Sequence, residues 1–170
     1  MKKPILLLLI LLVSNFIFAQ VEVVSTFVEK WDNSKDYLVA VAQAMPEEKY
    51  DYKPTAREMS FREQLFHIQD NVNWLSITHF SGIKYDSKEV VNGLSKGQII
   101  LNIIASFDAA KARIQNIKEA ELSQKVDFFA GPKSKLQILN LMQDHVTHHR
   151  AQILIYLNLN QIQPPKYVGW

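Results

Sequence analysis

The sequence predicts an all-α protein, a four-helix bundle whose long joins leave room for crossover connections, and three observations support this fold class. The 170 residues include only 5 glycines, and no sustained alternation of apolar and polar residues, typical of strands, is present. Apolar residues instead recur at helical spacing in four long segments. Three of these segments begin with a Ser followed three residues later by Glu or Gln, the sequence pattern of a capping box at a helix start.

Residues 1–19 predict a secretory signal peptide that precedes the bundle. Lys2 and Lys3 are followed by an apolar run and by Ala19, a small residue at the expected cleavage position. The alternative is an uncleaved membrane anchor, but the run is shorter than the ~20 apolar residues that a spanning helix needs. We therefore expect export to the periplasm or the exterior, and one mature domain at residues 20–170 that is not embedded in a membrane.

The four expected helices have clear end signals. The first covers about residues 23–45 and ends at Pro46, because proline cannot continue a helix. The other three each start at a Ser N-cap, and their expected ranges, counted from the cap, are about residues 60–80, 95–120 and 134–160. The capping pairs are Ser60 with Glu63, Ser95 with Gln98 and Ser134 with Gln137.

Charge and cysteine content exclude several classes of function. Cleavage after Ala19 removes two lysines and lowers the formal net charge from +2 to 0. A neutral chain with scattered basic residues has no electrostatic basis for binding nucleic acid, so we expect no such partner. The sequence has no cysteine, so any transition-metal site must use His together with carboxylates or water.

The stretch "DHVTHHRAQ", in the last helix, holds three of the five histidines. At about 100° per residue, His149 falls on the apolar side of the helix, His145 falls on its flank, and His148 lies further round. His145 and His149 are four residues apart and stand one above the other, a spacing that lets two imidazoles reach one metal ion. The alternative is a hydrogen-bonded polar layer, because a metal site usually needs a third protein ligand.

The second helix offers two candidates for that third ligand. His79 lies in line with the stronger apolar stripe of this helix, whereas His67 lies about 120° away on a more polar side. Periodicity alone favours His79, and the pattern leaves both candidates open.

Three stretches give the chain a resemblance to the DinB/YfiT-like superfamily of small four-helix-bundle proteins. They are "KYDYKPTAREMSFREQLFHIQDNVNWL", "FFAGPKSKLQILNLMQDHVTHHRAQILIYL" and the closing "NQIQPP", and with the helix pattern they cover nearly the whole mature chain. The resemblance implies a bundle whose second and third helices run parallel, with long crossover connections. It also implies a divalent metal ion, Zn²⁺ or Ni²⁺, held by His67, His145 and His149, and so it selects His67 over His79.

The resemblance also indicates neighbours of the site and two departures from the family pattern. Glu63, Asp70 and Asn71 lie at helical spacing from His67 and would orient the ligands. Gln161 stands where family members often have Gly after the last helix, which affects a helix cap. The export signal is not typical of the better-known cytosolic members, so their partners and thiol cosubstrates are not carried over.

The resemblance and the histidines together predict a metal-dependent enzyme, a hydrolase or a thiol transferase that acts on a small molecule. Its chemistry would centre on the metal, because "HFSG" lacks the first glycine of a serine nucleophile elbow. No catalytic residue is assigned, and His148 is expected to be a rim residue with a structural hydrogen bond rather than a proton shuttle. The alternative is a non-catalytic binding or structural module stabilised by the metal. The oligomeric state is left open, with a homodimer as one candidate.

Overall fold

The computed structural model describes residues 3–87 and 93–170, with side chains from residue 23 onward except that of Glu119. Over these residues the chain is mostly helical, as the sequence predicts. The elements in chain order are α1 (Lys3–Ala44), a 3₁₀ turn (Glu47–Lys49), α2 (Phe61–Phe80), α3 (Lys96–Ile114), α4 (Glu119–Leu122), β1 (Lys125–Val126), β2 (Lys133–Ser134) and α5 (Lys135–Leu159).

The starts of α2, α3 and α5 confirm the three predicted capping boxes. In each, the Ser hydroxyl accepts a hydrogen bond from the backbone N–H three residues later, and the Glu or Gln side chain accepts one from the Ser backbone N–H. Two of the backbone donors that a helix start leaves without partners are thereby satisfied at each site. Local sequence therefore determines where these helices begin.

The four long helices form a closed bundle in which α1 and α2 each pack against both α3 and α5. Lys96 at the start of α3 donates to the Met45 carbonyl just after α1, at 2.8 Å, so α1 and α3 run antiparallel. Arg62 in the first turn of α2 donates to the carbonyl of Leu94, just before α3, so α2 and α3 begin at the same end. The parallel pair and the long crossover that it requires confirm what the resemblance implies.

The seam between α1 and α3 is an aromatic core. Trp31 is fully buried and stacks on Phe107, with ring centroids 4.5 Å apart, and on Phe27 at 5.3 Å. The Trp31 indole N–H donates to the Phe107 carbonyl at 3.1 Å, which satisfies its only polar atom. A buried tryptophan removes a large apolar area from water, so this seam is a main source of stability.

The start of α1 differs from the prediction. The helix begins at Lys3 rather than near residue 23 because no proline or glycine stands between residues 5 and 44 to end it. The predicted signal peptide, residues 1–19, falls outside the part of the chain whose side chains are described, and its cleavage stays a prediction. Among the described residues, no helix is both long enough and apolar enough to cross a membrane.

The end of α3 also differs from the prediction, since this helix ends at Ile114 rather than near Ala120. The chain turns after it, with the N–H of Ile117 donating to the Ile114 carbonyl at 3.0 Å. This turn lets Ile117 and Leu122 pack against the core, which a straight continuation of the helix would not allow. The energy of apolar burial therefore overrides the local helical pattern.

A short antiparallel hairpin, β1 with β2, stands before α5 and was not expected from the sequence. Its loop carries Phe128 and Phe129, which lie against Trp74 of α2 with ring centroids 5.8 and 6.2 Å away. Two-residue strands are too short to show an alternating pattern, so periodicity could not reveal them.

Candidate metal centre

The seam between α2 and α5 brings together the three histidines that the resemblance selects. His67 on α2 faces the pair on α5, because these helices pack against each other. They run antiparallel, since Gln64 bonds to Gln152 and His67 lies next to His145. The Nε2 atoms of His67 and His145 are 3.1 Å apart, and the ring of His149 lies 4.5 Å from that of His67 and 4.4 Å from that of His145. One nitrogen of each ring lies within 4.8 Å of the others.

The donors in this cluster fit a divalent transition metal. Zn²⁺ binds imidazole nitrogen at about 2.0–2.1 Å, so two nitrogens on one tetrahedral ion lie about 3.3 Å apart. The 3.1 Å between the Nε2 atoms of His67 and His145 is close to this spacing, and the three donor nitrogens lie within 4.8 Å of one another. The Nδ1 of His145 is buried and has no hydrogen-bond partner among the described residues, so its ring is not held by a complete polar network. That the three histidines bind metal stays a prediction.

Burial keeps the three imidazoles in the neutral form that a metal requires. Desolvation, followed by the charges of His149, His67 and His148, lowers the pKa of His145 to about 3. Desolvation and then His67 and His148 lower the pKa of His149 to about 4. Burial also lowers the pKa of His67, although the carboxylate of Asp70 opposes this. At neutral pH all three rings therefore present a lone pair without first losing a proton.

Gln64 is a site residue that the sequence reasoning missed. It is only 3% exposed, and its side-chain oxygen accepts a hydrogen bond from the Nδ1–H of His149 at 2.7 Å. This bond selects the tautomer of His149 whose Nε2 carries the lone pair, as an outer partner of a metal-binding histidine does. Its sequence signal was a polar residue one turn before His67, next to the buried Leu65.

His148 lies at the rim, as its helical position predicts. It is exposed, and its Nε2 accepts a hydrogen bond from the Gln152 amide at 2.9 Å. Gln152 in turn accepts from the Gln64 amide at 2.5 Å, so the same network reaches both the rim and His149. This hydrogen bond agrees with the expected structural role of His148.

Two of the three predicted neighbours of His67 are engaged elsewhere, and the prediction that they orient the ligands is not supported. Glu63 closes the capping box of α2 and pairs with Lys53 at 2.9 Å. Asp70 accepts hydrogen bonds from the hydroxyls of Tyr85 at 2.8 Å and Ser87 at 2.7 Å, and it acts on His67 only through its charge.

The third predicted neighbour, Asn71, is half-buried. Its side-chain oxygen has no hydrogen-bond partner in the described part of the chain. Like His145 Nδ1, it is a polar atom withdrawn from water without a protein partner, which usually signals an unsatisfied functional group or bound solvent.

His79, which periodicity alone favours, lies outside the cluster. It is 6% exposed and sits in an aromatic environment, 6.1 Å from Trp74 and 5.9 Å from Phe128 between ring centroids. Burial lowers its pKa. The apolar stripe on α2 thus marks the side that faces the core, whereas the side that carries His67 meets α5.

A cavity of about 370 Å³ adjoins the cluster on the side of His67. Its walls come from α2 and from the connector between α1 and α2, so it opens between a helix and a loop. The lining residues are Lys53, Ala56, Arg57, Glu58, Met59, Glu63, Phe66 and His67. Volumes of this order accommodate small molecules.

The chain has detectable relatives at the level of family and fold. The sequence model of the DinB family matches residues 15–166. Solved structures of DinB-like proteins from Bacillus subtilis and Bacillus cereus each superpose with a TM-score of 0.71 at 16% identity. The first match covers 84% of this chain and 96% of the other, and the second covers 83% and 95%. No curated protein matches the chain. At this identity the structural likeness shows the fold alone.

Proposed function

This chain belongs to the DinB family, and on that premise we propose that it binds one divalent metal ion through His67, His145 and His149. The observation that carries the proposal is the convergence of one nitrogen from each ring within 4.8 Å, from two separate helices. Imidazole ligands suit Zn²⁺ and Ni²⁺, and these two ions are the proposed occupants.

The bound ion would serve a metal-dependent enzyme, a hydrolase or a thiol transferase that acts on a small molecule. Such an ion supplies Lewis acidity and leaves a position open for a ligand when three protein groups hold it. The cavity beside His67 supports this reading, because a catalytic site needs access for a substrate. In this scheme Gln64 orients His149, and the half-buried seam limits the access of water to the ligands.

The alternative function is a non-catalytic binding or structural module stabilised by the metal. The buried Nδ1 of His145, which has no partner among the described residues, does not distinguish the two functions. A structural ion and a catalytic ion would both be bound through the other nitrogen of this ring. The two functions differ in one measurable property of the metal-loaded protein. An open site beside the cavity should exchange a ligand bound to the ion, whereas a closed structural site should not.

Metal analysis of the purified protein tests the site. The wild-type chain, refolded with Zn²⁺ or Ni²⁺, should carry one ion per chain. His67→Ala, His145→Ala and His149→Ala should each lose it, because two imidazoles alone bind weakly. His148→Ala is the matched control, since this exposed ring accepts its bond from Gln152, and it should keep the ion. A wild-type protein without stoichiometric metal would refute the proposal, and loss in His79→Ala but not in His67→Ala would refute the ligand set.

Activity of the loaded protein towards thioester, ester and thiol-transfer substrates decides between enzyme and module. Metal-dependent turnover that is lost in His145→Ala is expected. Full occupancy without any turnover or ligand exchange would favour the structural module.

Export is a further part of the proposal and rests on residues 1–19 alone. N-terminal sequencing of the protein recovered from a periplasmic or culture-medium fraction should begin at Gln20, and a chain that begins at Met1 in the cytoplasm would contradict export. The mature domain is proposed to act on a small molecule and to bind no nucleic acid. A homodimer is one candidate for its oligomeric state, and sedimentation distinguishes it from a monomer.

A further inference from the structure

We propose that the cavity beside His67 binds the carboxylate of a small anionic substrate through Arg57, with the rest of the substrate directed to the metal. The inference rests on the proposed function, because it names the substrate class of that same site. The cavity holds both Arg57 and His67 in its wall, so a ligand in it can reach a cation and the metal-binding edge of α2 together.

The charges around the cavity single out Arg57. Lys53 and Glu63 pair at 2.9 Å and neutralise each other. The carboxylate of Glu58 accepts a hydrogen bond from the hydroxyl of Thr55 within the same turn. Among the described residues, the Arg57 guanidinium has no ion pair or hydrogen bond. It is therefore the cation in this wall that is free to bind a ligand.

The loaded cavity would carry a net positive charge. In the wall, the positive charges of Lys53 and Arg57 balance the negative charges of Glu58 and Glu63. Because the histidines are neutral, the full charge of a bound divalent ion is left uncompensated. A guanidinium also presents paired donors that match a carboxylate. Both features favour an anionic ligand over a neutral one.

The other walls define the remainder of the ligand. Met59, Phe66 and Ala56 supply apolar surface to the same wall. A volume of about 370 Å³ is at the lower end for small-molecule sites. The inferred substrate is thus a small carboxylate with an apolar body and a second polar group that faces the metal.

A pair of probes that differ only in charge tests this inference. Protein loaded with Co²⁺ in place of the native ion is titrated with 3-mercaptopropionate and with its neutral amide, and the thiolate-to-cobalt absorption band reports each dissociation constant. The wild type should bind the carboxylate about fivefold more tightly, the effect expected of one charge-assisted bond near solvent. Arg57→Gln should lose most of this preference and keep only the smaller part that comes from the charge of the ion.

Lys84→Gln is the matched control, because it removes one positive charge from an exposed side chain that lies outside the cavity. It should retain the wild-type preference. Equal binding of the two probes by the wild type would overturn the inference, as would a preference in Arg57→Gln as large as that of the wild type.

A comparison of a charged probe with its neutral amide also separates this inference from the proposed function. If the wild type carries no metal, the proposed function fails, and the metal-free protein is then titrated with propionate and propionamide by nuclear magnetic resonance. Shifts in residues 53–59 with propionate only, absent in Arg57→Gln, would support the anion site by itself. Identical spectra with both probes would overturn it.

Discussion

The α1–α3 seam and the α2–α5 seam belong to one bundle but differ in chemistry. The first is filled by Trp31 and Phe107, both fully buried and stacked. The second holds three half-buried histidines and a buried glutamine. Apolar burial stabilises the fold, whereas buried imidazoles without charge or complete partners reduce stability. One side of the bundle therefore supports the fold, and the opposite side carries the groups available for chemistry.

The largest expected effect is the loss of Trp31. Trp31→Ala should lower the free energy of unfolding by about 3–5 kcal/mol, because it removes a large buried ring and leaves a cavity. Denaturant titration measures this change. Trp74→Ala is the matched control, since Trp74 is only half-buried at the hairpin, and it should cost clearly less. Equal losses in the two variants would contradict the role of the α1–α3 seam as a main source of stability.

Gln64 should control metal affinity rather than folding. Gln64→Leu leaves the Nδ1–H of His149 without its acceptor, and the loss of such an outer partner typically weakens metal binding about 10–100-fold. Competition with a chelator measures the affinity. Gln64→Glu keeps an acceptor and should restore most of it, while Gln152→Leu, one bond further from the ligand, should have the smaller effect. Unchanged affinity in Gln64→Leu would show that the bond does not orient His149.

Acidification should destabilise the metal-free protein through the α2–α5 seam. The folded-state pKa of His145 is about 3, below its ordinary value of 6.5, so below about pH 6.5 the unfolded chain binds more protons than the folded chain. The stability is therefore complete above about pH 6.5 and falls as the pH drops towards the folded pKa. Glu63, whose pKa is lowered from 4.5, contributes to acid sensitivity only at lower pH.

The comparison with His145→Leu isolates this effect. Unfolding free energies of the metal-free proteins between about pH 7 and 5 should fall less steeply in the variant, because one of the depressed imidazoles is gone. Parallel slopes for the two proteins would contradict the depressed pKa of His145.

The smallest expected effect lies beyond both seams, at the end of α5. Gln161 follows the C-cap residue Asn160 and has a φ of 59°, a left-handed conformation that costs a residue other than glycine about 1 kcal/mol. Gln161→Gly should therefore raise the free energy of unfolding by about 0.5–1 kcal/mol. Thermal or denaturant unfolding checks this, with metal affinity expected to stay unchanged. A destabilised variant would mean that the Gln161 side chain makes a compensating contact.

Much of the fold was accessible from local sequence. Ser60, Ser95 and Ser134 identified three helix starts because a capping box needs only residues three positions apart. The sequence also identified position 161 as one where family members often have Gly, because the family resemblance gives the usual residue there. The end of α3 at Ile114 was not, because that turn depends on Ile117 and Leu122 reaching a core formed by distant segments.

The candidate site divides in the same way. The geometry of one helix separated His145 and His149 from His148, since residues four apart share a side whatever surrounds them. The choice of His67 over His79 came from the resemblance and not from periodicity. Gln64 was missed because its partner is 85 positions away in the chain.

The sequence by itself determined the four long helices, the starts of α2, α3 and α5, and the pairing of His145 with His149, because these depend on interactions within a few residues. Only the tertiary structure decided which side of α2 meets α5, that Gln64 orients His149, and that Arg57 stands beside His67 in one cavity. The rotation of a helix in a bundle is set by the packing of all its neighbours at once. That collective choice is not contained in the pattern of any single helix.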